Sequence, residues 1–283
     1  MGASSRAIVF AAAVLLVAGR EPASSEPMLG ILEERQECDA GAGKTVVVEP
    51  LFARSGDDWT SLSEELRPLE SLSWTVLLDG RSIGILRTEP GAAGERLVSL
   101  VPGQRVPEIR NTNGGFRGWC GTPTRRPLAV TSRSDVRDPD RWRPFEAPQE
   151  MCSRLFHAFR AEAGDASCGD GRGNIVEVPY HAEDLRVASA WRDRAGRQLV
   201  AVVLPFEERC DGPWEGPWKA RWFLVTGENA RYLGSNFELI DVGDYDADGA
   251  SEILFRYSAY DEDGYTLFHD GLLKRTDHHR RYP

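Results

Sequence analysis

The sequence predicts a mainly β protein, either propeller-like or an irregular β assembly, with few short helices. Three observations predict it. Short runs of β-branched and aromatic residues recur along the chain, glycine and proline are spread between them, and long helical periodicities are absent.

The first segment is not a strand. The chain opens Met1-Gly2-Ala3-Ser4-Ser5-Arg6 and then stays apolar from Ala7 to Ala18. One arginine, about a dozen apolar residues and then small residues is the layout of a secretory signal peptide, assigned here to residues 1–25. The apolar run falls short of the ~20 residues that a spanning helix needs. Val17-Ala18-Gly19 and Ala23-Ser24-Ser25 both offer small residues for cleavage. The expectation is a secreted chain, extracellular or periplasmic, with no membrane span once processed.

After it come the β-like runs. Thr45-Val46-Val47-Val48 is one. Trp74 to Leu78, then Asp79-Gly80, then Ile83 to Leu86 reads as a hairpin with a tight Asp-Gly turn. Leu97–Val101 and Leu128–Thr131 follow. Further on lie Ile175–Val178, Leu199–Leu204, Trp222–Val225, Ile253–Phe255 and Tyr265–Phe268. Helical signals are few. Ser61-Leu62-Ser63-Glu64 forms a capping box before a short segment that Pro68 ends. Leu155, Phe156 and Phe159 place one amphipathic helix over Ser153–Ala163. The proline- and arginine-rich stretch Asp138–Pro148 reads as a connection between an N-terminal β-rich region, 26–148, and a C-terminal β region, 149–283.

A formal charge of −10 argues against a general nucleic-acid or anionic-membrane binder. The cysteines are Cys38, Cys120, Cys152, Cys168 and Cys210, with no C-x-x-C pair for a zinc knuckle or redox motif. In an oxidising compartment up to two disulfides are expected, Cys152–Cys168 being the first candidate pair.

The chemistry gathers near the C-terminus, in Asp244-Tyr245-Asp246-Ala247-Asp248-Gly249-Ala250-Ser251-Glu252. Alternating carboxylates on a coiled loop can all turn inward and offer a hard cation the oxygens it wants. Gly249 permits the sharp turn, the Ala250 carbonyl can add a backbone ligand, and Glu252 reaches back from the next strand. Four carboxylates so close repel one another, and a cation is their expected neutraliser. The loop is not an EF-hand. Its twelfth position is Phe255, and both flanks, Phe237–Ile240 and Ile253–Phe255, are β-like.

An internal echo accompanies it. Trp191 to Val202 overlays Asp244 to Phe255 with Gly196 on Gly249, a spacing of a little over fifty residues. Ala195 then stands at Asp248 and Leu199 at Glu252. The echo is either a repeat that has lost its metal or chance similarity of two turn-plus-strand units.

Gly243 to Ile253 resembles the calcium loop of FG-GAP repeats, the blade unit of integrin-α-like (VCBS-type) β-propellers. That resemblance implies Ca²⁺ as cofactor, with Asp244, Asp246, Asp248 and Glu252 as side-chain ligands and Ala250 as the carbonyl ligand. Glu252 stands where the family more often has aspartate. It also implies a non-enzymatic module that contacts a protein or carbohydrate ligand. The alternative is a secreted hydrolase with a loop-built active site, though no catalytic residues are legible.

Other motifs carry less. Asp39 to Thr45 resembles a phosphate loop, but Cys38 replaces its first glycine and it precedes a strand. No G-x-S-x-G is present. The five histidines lack metal-ligand spacing: His157 falls on the predicted helix, and His278-His279 reads as part of a solvated tail with Arg280 and Arg281. Asp261-Glu262-Asp263-Gly264 reads as a hairpin turn. Trp214 and Trp218 can form a carbohydrate-stacking surface or cover a sheet edge.

Overall fold

The computed structural model describes residues 26–35, 45–62, 71–78, 81–89, 98–101, 127–131, 136–164, 166–169, 174–205, 214–215 and 219–282. The signal segment, the Asp39–Thr45 motif up to Lys44, the helix after Leu62, the Asp79-Gly80 turn, Cys38, Cys120, Cys210 and Trp218 lie outside the described residues.

The first sheet is built from β1 (Met28–Arg35), β2 (Thr45–Ser55), β3 (Asp58–Ser61), β4 (Leu72–Leu78), β5 (Arg81–Thr88), β6 (Val98–Ser99) and β7 (Leu128–Val130). Its order is β3-β2-β1-β7-β4-β5, with β6 on β2. Next come β8 (Arg143–Pro144), helix α1 (Glu150–Ala163), β9 (Ala166–Gly169), β10 (Ile175–Val178), β11 (Arg186–Arg192), β12 (Gln198–Val203), β13 (Trp214–Glu215), β14 (Arg221–Thr226) and β15 (Asn229–Ser235). Here β11, β12, β14 and β15 form an antiparallel meander with β8 on its edge, while β10, β9 and β13 make a small separate sheet. The chain ends in a second four-stranded antiparallel meander, β16 (Phe237–Gly243), β17 (Glu252–Ser258), β18 (Glu262–His269) and β19 (Lys274–Arg281). The protein is mainly β, an irregular assembly of antiparallel sheets.

The apolar runs explain the layering. Both faces of several strands are apolar, so each sheet must be covered twice. Leu32, Trp74, Val76 and Leu86 pack on one face of the first sheet, and Trp74 Nε1 donates to Thr88 Oγ1 at 2.9 Å. On its other face Leu29, Ile31, Phe52 and Val130 meet Leu254, Tyr265 and Leu267 of the last meander. The opposite face of that meander, with Phe255 and Phe268, packs on Leu199, Trp222 and Leu233 of the preceding one. Phe255 stacks on Phe237 at 5.2 Å and meets Trp222 edge-on at 5.0 Å. Each fully buried aromatic of this kind contributes on the order of 2–3 kcal/mol. Finally α1 covers the outer face of the β11–β15 meander through Met151, Cys152, Leu155 and Phe159.

The helix matches the predicted Ser153–Ala163 segment and starts three residues earlier, at Glu150. Its buried face accounts for one correction. Cys152 is a free thiol packed in that core, not the bridge to Cys168 expected from spacing. Burial pushes its pKa up, away from reactivity.

Two further expectations are corrected. The Asp261–Gly264 stretch is not the turn. The strands reverse at Ala259-Tyr260-Asp261, and Gly264 lies inside β18 opposite Tyr257 and His279. A Cβ at Gly264, whose φ is 155°, would sit 2.1 Å from the His278 carbonyl oxygen, so a side chain is excluded there. His278 and His279 belong to β19 and not to a tail. The Ser61 hydroxyl lies 3.0 Å from His278 Nδ1, and His279 stacks on Tyr257 at 4.2 Å. Thr276 Oγ1 donates to the Trp59 carbonyl at 2.9 Å, so β19 is stitched to β3 by polar groups.

Candidate metal centre

The acidic loop connects β16 to β17, the first hairpin of the last meander. Its two ends are fixed by packing. Tyr245 is fully buried among Leu29, Leu51, Leu128 and Leu254. Ile253 and Leu254 continue into the sheet core. Between these anchors Gly249 takes a φ of 88°, and Ala247 also adopts the left-handed region at 70°. Asx-type hydrogen bonds shape the turn: Asp246 Oδ1 accepts from the Asp248 N–H at 3.1 Å, and Asp248 Oδ1 from the Ala250 N–H at 2.7 Å.

This folding gathers Asp244, Asp246 and Glu252, each placing a carboxylate oxygen within 4.8 Å of the others. Asp248 does not join them in that cluster. Asp248 is exposed and spends an oxygen on the turn. Of the four predicted carboxylate ligands, Asp244, Asp246 and Glu252 converge.

The electrostatics are severe. Glu252 is 1% exposed, and burial together with Asp246, Asp248 and Asp244 pushes its pKa up to about 9, although Oε2 accepts the Tyr245 N–H at 2.7 Å. Asp246 is raised by burial first and then by Asp248. Burial likewise drives the Tyr245 phenol well above its ordinary value.

A cation of the chain reaches the cluster from the first sheet. Arg54 Nε on β2 lies 2.9 Å from Asp246 Oδ2. Among the described residues that oxygen is buried yet accepts no hydrogen bond, so its lone pairs are not engaged by a directed N–H. An all-oxygen donor set of this kind suits a hard cation such as calcium.

The connecting stretch identified as Asp138–Pro148 clamps the loop from behind. Ser251 Oγ donates to Asp138 Oδ1 at 2.6 Å, the Asp140 N–H donates to Ser251 Oγ at 3.2 Å, and the Asp244 N–H to the Arg137 carbonyl at 2.8 Å. The same stretch reaches the β11–β12 loop. The Arg194 N–H donates to the Asp140 carbonyl at 2.8 Å, and Arg197 donates to Asp140 Oδ2 at 2.9 Å.

That second loop is the internal echo. It joins the first two strands of its meander, as the acidic loop does, and Gly196 has a φ of 89° against 88° at Gly249. Its single buried acid, Asp193, accepts from Arg197 Nε at 2.5 Å and from the Arg197 N–H at 2.8 Å. A guanidinium fills the role of counter-ion there.

Sequence reasoning missed Arg54, Asp138, Asp140, Ser251 and Tyr245. Only the last two carried a usable signal, because they lie within the motif itself. Of the tryptophans, Trp222 is core and donates to the Phe237 carbonyl at 2.9 Å. No histidine belongs to the acidic cluster among the described residues, and His157 lies exposed on α1. At the far ends of β16 and β17 a groove of about 330 Å³ is lined by Lys219, Asn236, Glu238, Arg256 and Ser258. No protein-family model, curated protein or solved structure matches this chain.

Proposed function

We propose that this is a secreted calcium-binding β protein that acts as a non-enzymatic contact module for a protein or glycan ligand. One observation carries the reading. Asp244, Asp246 and Glu252 hold carboxylate oxygens within 4.8 Å of one another, with Asp244 and Glu252 buried. Arg54 offsets only part of the charge of such a set, and a divalent cation offsets the remainder. The resemblance of Gly243–Ile253 to FG-GAP calcium loops supports calcium over other hard cations.

Asp244, Asp246 and Glu252 would hold the ion, and the resemblance adds Asp248 and the Ala250 carbonyl. The ion supplies charge neutralisation. The chain supplies the frame: Tyr245 and Ile253 pin the loop, and Ser251 fastens it to Asp138.

Isothermal titration calorimetry with calcium tests the metal reading. Wild type should bind one ion, and Asp244→Asn with Asp246→Asn should bind none. A wild type that takes up no calcium, or a double variant that binds as tightly, would sink it.

A further inference from the structure

The acidic loop belongs to the last meander, yet a cation from the first sheet reaches it. Arg54 lies on β2, with its side chain 17% exposed, and it faces an Asp246 side chain that is 3% exposed. The contact is Coulombic and not a directed hydrogen bond, because among the described residues Asp246 Oδ2 accepts none. Such a contact yields more readily than a bidentate pair, which fixes both partners.

We propose that Arg54 is a built-in counter-ion that competes with the cation for Asp246 and so sets the affinity of the loop. The inference rests on the calcium reading above. In the absence of calcium Arg54 offsets part of the negative charge and holds the loop against the first sheet. With calcium present it opposes binding, since a positive charge beside the site repels a second one. The β11–β12 loop shows the completed form of this arrangement. There Arg197 is doubly hydrogen-bonded to Asp193 and reaches Asp140 as well, leaving no role for a free ion. Arg54 makes the weaker version of that contact and leaves room for exchange.

The test is calcium titration calorimetry on the full chain, with thermal melting in chelator as a second readout. Arg54→Gln keeps most of the side-chain stem and removes the charge. It should bind calcium on the order of tenfold more tightly than wild type, and melt at a lower temperature in chelator. Arg54→Lys keeps the charge and should bind within about twofold of wild type. A wild type that binds no calcium ends the calcium reading and the proposal with it, whatever Arg54→Gln does. If wild type binds and Arg54→Gln binds equally or more weakly, the proposal falls and the calcium reading stands. The same holds if Arg54→Lys binds as tightly as Arg54→Gln.

Discussion

The β11–β12 and β16–β17 loops sit at the same place in two successive meanders and handle buried acid in opposite ways. In the first, one acid, Asp193, with a side chain 0% exposed, meets one covalently attached cation, Arg197. In the second, Ala250 stands at the position of Arg197 and Glu252 at that of Leu199, so the acids rise while the neighbouring cation is lost. The difference teaches where stability comes from. A loop closed by its own guanidinium is indifferent to the solution around it. One that gathers Asp244, Asp246 and Glu252 beside an arginine that donates no hydrogen bond to Asp246 Oδ2 is not.

The comparison can be broken at the first loop. Replacing Arg197 by alanine strands the buried Asp193 carboxylate and should cost about 3 kcal/mol. Urea unfolding should return the same loss in calcium and in chelator. A loss that calcium repairs would mean that the first loop, too, takes an ion.

A pH series sharpens the contrast next. In the metal-free folded protein Glu252 titrates near 9, against an ordinary value of 4.5. Between those values the folded state keeps a proton that the unfolded state has released. Stability in chelator should therefore fall as pH rises from about 5 to about 9. Glu252→Gln should flatten that slope, and excess calcium should do the same by stabilising the carboxylate form. A slope that survives in Glu252→Gln would place its origin elsewhere.

The smallest effect concerns the clamp shared by the two loops. Ser251→Ala loses the bonds to Asp138 and Asp140 and should destabilise by about 1–2 kcal/mol. Denaturant titration reads it, and an unchanged midpoint would show that the clamp adds nothing to stability.

Much of this was legible in local pattern. Trp222–Val225 lies inside β14 and Leu155-Phe156-Phe159 inside α1, because apolar spacing alone decides which face is covered. The clustering of Asp244, Asp246 and Glu252 was legible for the same reason, since all three lie on one short loop. What escaped depends on long-range contacts. Nothing local announces that Arg54 will face Asp246, or that Asp140 will join two loops. The last strand escaped differently. Lys274–Arg281 has no apolar run, because its inward positions are polar groups satisfied across the sheet, Thr276 by the Trp59 carbonyl and His278 by Ser61. Gly264 misled because an Asp-Gly pair usually signals a turn, whereas here the missing side chain makes room for the neighbouring His278 backbone.

The most direct measurement is thermal melting of wild type and Asp246→Asn, each in chelator and in calcium at about a hundred times the dissociation constant. Occupancy at that level is worth about 2.7 kcal/mol. The wild-type midpoint should rise by roughly 5–10 °C, while the Asp246→Asn midpoint stays where it was. Wild-type melts that superimpose with and without calcium would contradict the account.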